Sequence, residues 1–142
     1  LPICFQELCQ HLMLASLELV RRMAAGRKED LVTREDSTFG RVARYIDRHY
    51  AEDLSIEQLA RQFYLSPYHL SHIFRQKTGY SLKQYVLRRR IGEAQMRLVN
   101  AQDSVQTISE AVGFADASYF SRIFSKYVGL TPTEYRKFRI GP

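Results

Sequence analysis

The sequence predicts an all-α fold, and three observations carry that prediction. Helix-start signals recur at short intervals from Ser55 onward, no segment of four or more residues alternates as a strand would, and one eleven-residue phrase is written twice. The two versions are HLSHIFRQKTG, from His69 to Gly79, and YFSRIFSKYVG, from Tyr119 to Gly129. Self-similarity of this kind marks a supersecondary unit used more than once.

Taken in order, Ile3, Phe5, Leu8, Leu12, Ala15, Leu19 and Met23 recur at threes and fours, which predicts an amphipathic helix over residues 3–25. GRKEDLVTREDS follows with few apolar anchors and reads as a linker over residues 26–37. Ser37 or Thr38 is then placed to cap a helix over 38–50, whose inward face is Phe39, Val42, Ala43, Ile46 and Tyr50. Ser55 with Gln58, and Ser81 with Gln84, fit the capping box and open helices over 55–62 and 81–98. Ser66-Pro67 and Thr131-Pro132 put proline at the first helical position, where its missing N–H costs nothing, and predict helices over 67–77 and 132–138. SVQTISEAV predicts a helix over 104–112, and Asp116 is placed to cap one over 117–127. Gly79 and Gly129 stand where helices stop.

The repeat says what these helices build. With a shift of fifty, Ser71 meets Ser121, Ile73 meets Ile123, Phe74 meets Phe124, Gly79 meets Gly129, Tyr85 meets Tyr135 and Arg89 meets Arg139. Upstream the best shift is forty-nine, pairing Leu59 with Ile108, Phe63 with Val112 and Leu65 with Phe114. The one-residue slip falls in the turn, where an insertion is cheapest. Each copy is therefore a short helix, a tight turn and a second helix, the pattern of a helix-turn-helix. The apolar residues kept in the second helix face inward, whereas Tyr68, His69, His72 and Arg75, against Ser118, Tyr119, Arg122 and Ser125, lie mainly on the other face.

Composition excludes several classes. The chain has 142 residues, 45% hydrophobic and 25% charged, enough to bury one good core or two small ones. Its apolar stretches, such as LMLASLELV, are too short and interrupted to span a bilayer, so no membrane partner is expected. Cys4 and Cys9 crowd one predicted helix and read as free thiols; with His11 they lack a fourth ligand, and His69 and His72 have no cysteine nearby, so no metal is expected. No cofactor loop and no catalytic grouping of Ser, His, Asp or Cys stands out, and no enzyme is expected. Residues 1–37 carry five Lys/Arg against six Asp/Glu, whereas residues 38–142 carry sixteen against nine. That basic excess of +7 invites a polyanion such as nucleic acid, with an acidic protein partner as the competing reading. A first residue of Leu1 leads to the expectation of a piece of a longer protein.

Residues 38–140 resemble the DNA-binding module of the AraC/XylS family of bacterial transcription regulators. The resemblance is carried by LARQFYLSPYHLSHIFRQKTG, by YVLRRRIGEAQMRLV, and above all by ISEAVGFADASYFSRIFSKYVGLTPTEYRKF, which is similar to the family's most specific signature over nearly its whole length. Two positions depart: Tyr64, where a small residue is common, and Ser109, where alanine is usual.

The resemblance implies a homeodomain-like pair of helix-turn-helix subdomains within residues 38–142, about 55–77 and 104–127, joined by the 81–98 helix. It also implies that residues 1–25 are the tail of an upstream sensor or dimerisation domain. The expected function is a sequence-specific, double-stranded DNA-binding transcription activator in the bacterial cytoplasm, associated with the nucleoid. RNA polymerase is an expected partner, with a homodimer through the N-terminal region and a small-molecule effector reached only through the upstream domain. Both recognition helices would enter adjacent major grooves about one helical turn, or 34 Å, apart. Tyr68, Ser71, His72 and Arg75 on the first, and Ala117, Ser118, Ser121 and Arg122 on the second, are the expected base-reading residues. Arg122 leads, because a guanidinium pairs two-pronged with guanine O6 and N7. Ser55, Lys83, Ser104, Lys126, Thr131, Arg136 and Lys137 are expected to hold phosphate, three of them at helix starts. Arg88, Arg89 and Arg90 spiral around their helix and cannot all face DNA, so structural roles are expected for the run.

Overall fold

A computed structural model describes residue 16 and residues 34–141, residues 34–37 and Ile140 by backbone alone. The helix expected over 3–25 lies outside the described residues, save for Ser16, which is helical and exposed. The described residues form seven helices and no strand: α1 (Arg34–His49), α2 (Ile56–Gln62), α3 (Pro67–Thr78), α4 (Leu82–Asn100), α5 (Val105–Ala111), α6 (Ala117–Val128) and α7 (Pro132–Ile140).

The predicted capping chemistry sets most of these boundaries. Ser55 Oγ accepts from the Gln58 amide at 3.1 Å while Gln58 Oε1 accepts from the Ser55 amide at 3.3 Å, and Ser81 with Gln84 repeats the exchange at 3.2 and 3.0 Å. Gly79 and Gly129 close α3 and α6 at φ of 77° and 85°, their amides returning to the carbonyls of Arg75 and Ser125. Most boundaries fall within two residues of expectation, and two have a physical lesson. Residues 34–37 belong to α1 rather than to a linker, so Ser37 and Thr38 lie inside the helix and do not cap it. An apolar stripe dictates which face is buried, not where the backbone begins to coil, and acidic residues at positions 35 and 36 favour the positive end of a helix dipole. At the other boundary α4 runs on to Asn100, because no glycine or proline stops it until Ala101 turns extended.

Two cores result, and one helix serves both. Val42 and Ile46 of α1, Leu59 and Ala60 of α2, and Leu70 and Phe74 of α3 pack on Leu82 and Val86 in the first half of α4. Ile108, Val112, Phe114, Phe120, Phe124, Val128 and Tyr135 pack on Ile91, Ala94 and Leu98 in its second half. The repeat is visible in the aromatic contacts. Phe74 meets Tyr85 edge-on at 5.3 Å and 73°, and the equivalent Phe124 meets Tyr135 at 5.6 Å and 76°. Burying each such ring contributes roughly 1.5–3 kcal/mol, so the repeated letters are those that hold each subdomain together.

The turns match as closely. In the first, the Leu65 amide reaches Ala60 O at 2.8 Å; in the second, the Phe114 amide reaches Ser109 O at 2.9 Å. The residue between helix end and that amide has positive φ in both, 56° at Tyr64 and 97° at Gly113. The extra residue of the second turn is Ala115, inserted before the Asp116 cap, which accounts for the change of shift from forty-nine to fifty.

The subdomains meet at the arginines in the middle of α4. Arg88 lies 3.9 Å from the Tyr80 ring centroid and 5.1 Å from that of Tyr127. Arg89 pairs with Asp47 of α1 at 3.0 Å and with Glu93 at 3.4 Å. Arg90 donates to three carbonyls: Tyr50 O at 2.6 Å, Glu52 O at 2.7 Å and Gly113 O at 2.9 Å. The structural roles expected for the run are those observed. Among the described residues no helix is long and apolar enough to cross a membrane.

Candidate nucleic-acid interface

On α3, Leu70, Ile73 and Phe74 are buried, which turns Tyr68, Ser71, His72 and Arg75 outward together. These four sit at i, i+3, i+4 and i+7, one stripe of the helix. Tyr68 is 82% exposed, and its ring lies parallel to that of His72 at 6.4 Å and 13°, giving a flat aromatic surface on the same stripe as the exposed Arg75. Among the described residues no carboxylate pairs with Arg75 or Arg122.

The matching stripe of α6 is smaller and less even. Ser118 and Arg122 are exposed, whereas Ala117 and Ser121 are half-buried. The Arg122 guanidinium stands 5.8 Å from the Tyr119 ring, which leans in turn on Phe114 at 6.0 Å. Tyr119, 40% exposed, thus stands between Phe114 and Arg122.

The residues expected at phosphate divide by what already occupies their donors. Lys83 and Lys126 are exposed and have no ion-pair partner among the described residues, and Lys137 is exposed beside Glu134. Ser104 caps α5 through the Thr107 amide at 3.0 Å and has no glutamine or glutamate three residues on to cover its own amide. Ser55 has that cover, from Gln58. At Thr131 the amide and hydroxyl both donate to Glu134 Oε2 at 2.8 Å. Those bonds hold the Glu134 carboxyl below its ordinary pKa, the backbone amide of Thr131 contributing most. Arg136 is half-buried and donates from Nε to Leu98 O at 3.1 Å and from Nη2 to Asp103 O, fastening α7 to the end of α4.

The sequence reading missed a basic stripe on α1. Arg41, Arg44 and Arg48 line an open hollow of about 300 Å³ with Tyr45, His49, Gln62 and Phe63. Their spacing of three and four was legible, but arginines at that spacing read as an ordinary solvated face until Phe63 is seen beneath Arg41 at 5.7 Å. Among the described residues there is no group of three His, Cys, Asp or Glu that could hold a metal ion.

The family profile described as "Helix-turn-helix domain" matches residues 59–137. The arabinose operon regulatory protein of Salmonella typhimurium is 38% identical over 119 residues, 83% of this chain and 42% of that protein. The chain belongs to the AraC family of transcription regulators. It spans less than half the length of that curated relative. The C-terminal domain of AraT, a response regulator from Geobacillus stearothermophilus, superposes with a TM-score of 0.71 at 30% identity, covering 74% of this chain and 88% of that one. The DNA-binding domain of AdpA, a global transcriptional factor solved with a target DNA, gives 0.65 at 27% identity, covering 68% and 87%. The AraC-type module is a DNA-binding module.

Proposed function

We propose that this AraC-family chain is the DNA-reading part of a transcription activator, which inserts α3 and α6 into adjacent major grooves on one side of double-stranded DNA. The observation that carries the reading is the pair of outward stripes, Tyr68–Ser71–His72–Arg75 and Ala117–Ser118–Ser121–Arg122, on equivalent helices backed by equivalent cores. Sharing α4 supports a common direction for the two stripes, and grooves facing one way recur about every 34 Å. Arg122 and Arg75 read guanine; Tyr68 and Ala117 touch thymine methyls; Ser71, His72, Ser118 and Ser121 complete the base contacts. Lys83, Lys126, Lys137 and the helix starts at Ser55 and Ser104 hold phosphate, a term that falls with salt.

The larger assembly follows from the same family reading. The activator recruits RNA polymerase in the bacterial cytoplasm, on the nucleoid, with a homodimer through its N-terminal region and a small-molecule effector bound by an upstream domain. Fluorescence anisotropy with duplexes of different sequence tests the central claim. At an ionic strength near 0.15 M, affinities that do not differ among sequences sink it. A promoter-reporter assay tests the sign of regulation.

A second reading, a grip on an acidic protein partner, draws on the Arg41–Arg44–Arg48 hollow. Binding that ignores base sequence but is competed by an acidic peptide would favour it.

A further inference from the structure

The two cores share α4, but a continuous helix does not by itself fix how two bodies attached to its halves are rotated about it. Arg88 touches a ring of each, Tyr80 and Tyr127, and the Arg90 guanidinium joins them by hydrogen bonds. Two of its acceptors, Tyr50 O and Glu52 O, belong to the segment that leaves α1, and the third, Gly113 O, belongs to the turn of the second helix-turn-helix. The same loop touches the same turn directly: a Cβ built on Gly113 would lie 2.5 Å from Ala51 O and 2.8 Å from Ala51 Cα. Only glycine permits that approach. The guanidinium is also 5.7 Å from the Phe114 ring, on the residue after Gly113.

A guanidinium is a rigid planar fork whose N–H directions are fixed, so three carbonyls can be met at once in one arrangement only. Sliding or twisting one subdomain by about an ångström carries at least one of these bonds past the range in which a hydrogen bond survives. Gly113 opens the turn that precedes α6, and Tyr50 to Glu52 lie between α1 and α2, which carries α3 on its own turn. The bridge therefore runs from one reading unit to the other.

We infer that Arg90 sets the spacing and rotational phase of the two recognition helices, and so determines which half-site separation the protein accepts without touching DNA itself. This rests on the two-groove reading above. One inserted base pair displaces the second half-site by about 3.4 Å and turns it by about 35°, given a helical turn of 10–10.5 base pairs. Arg90 makes that mismatch costly. It is a positioning residue, distinct from the residues that contact bases.

The test compares the 142-residue chain with Arg90→Met, which keeps volume and removes every donor, and Arg90→Lys, which keeps charge but loses the fork. Circular dichroism confirms that each variant is folded, and Arg90→Lys carries the test if Arg90→Met is not. The DNA probe is a duplex selected from a random library by the native chain, remade with one or two base pairs inserted between its half-sites. The native chain should lose at least about tenfold in affinity on a single insertion, comparable to a mismatched base pair. The variants should bind the whole series within about threefold of one another and hold a single half-site as the native chain does. A variant that keeps the native spacing preference overturns the proposal. So does one that loses half-site affinity in the same proportion, which is what a merely structural role predicts.

A second arm needs no DNA. With Cys4 and Cys9 replaced by serine, spin labels at Glu57→Cys and Thr133→Cys, both exposed, report the distance between subdomains by double electron–electron resonance. The distribution should be narrow in the native chain and broad in Arg90→Met. An equal width in both overturns the bridge. Broadening without any selected duplex keeps the bridge but overturns the two-groove reading, and with it the role in spacing.

Discussion

Tyr64 and Gly113 occupy the same place in the two turns, and both have positive φ, yet one is a 94% exposed tyrosine and the other a glycine pressed against Ala51. Equivalent backbone has been given different side chains for a reason that differs between copies. At Tyr64 the left-handed conformation costs about 1–2 kcal/mol and nothing crowds the ring. Tyr64→Gly relieves that cost, less the extra entropy glycine loses on folding, and should raise stability by up to about 1 kcal/mol. Gly113→Ala should lower it by about 2–4 kcal/mol, from backbone strain and the clash with Ala51 together. Urea denaturation of both variants measures the contrast. Equal effects would mean that the approach of Ala51 to Gly113 does not matter in solution.

Base reading and charge anchoring separate by their response to sequence and salt. Arg122→Ala removes a two-pronged donor and should cost about 1–3 kcal/mol while relaxing preference at one or two base pairs. Lys126→Ala should weaken all sequences alike and reduce the salt slope by about one. Anisotropy titrations of a small duplex panel at several salt concentrations distinguish them. The reverse pattern would reject the division between the two residues.

The division of residues into core and surface was legible because it follows from period alone. Leu70, Ile73 and Phe74, with Phe120 and Phe124, are buried where a 3.6-residue repeat puts them, and Ser55, Ser66, Ser81, Asp116 and Thr131 cap where local chemistry requires. The seven described helices were thus predicted to within a few residues, α1 excepted at its start. What period and caps do not carry is which distant carbonyl an arginine will meet. Arg136 and Arg90 donate to backbone atoms more than twenty residues away, and in a linear reading such a cation looks the same as one waiting for phosphate. Among the described residues Lys83 and Lys126 are unpaired, while Thr131 and Arg136 are not.

That distinction is measurable for Arg136. Its bonds to Leu98 O and Asp103 O join α7 to the end of α4, so Arg136→Ala should lower stability by about 1.5–3 kcal/mol, the range for hydrogen bonds that involve a charged group. The salt slope of DNA binding should stay at the native value, since no phosphate contact is lost. Thermal melting and salt titration on one preparation give both numbers. A reduced slope with unchanged melting would return Arg136 to the phosphate set.

Glu134 supplies a pH signature for the start of α7. The Thr131 amide and hydroxyl favour its charged form, so its carboxyl titrates below the ordinary value of 4.5 in the folded chain. A folded pKa below the unfolded one means a contribution fully present above the unfolded value, fading as pH falls from there through the folded value. Lowering the pH from about 5 to about 3 should therefore lower the melting temperature of the native chain more steeply than that of Glu134→Gln, whose amide oxygen accepts the same bonds without titrating. Comparing the two chains cancels the other carboxylates, which titrate in both. The protection of the Thr131 amide, measured against its intrinsic exchange rate at each pH, should fall over the same interval in the native chain only. Parallel melting curves would show that the neutral acid caps as well as the carboxylate does.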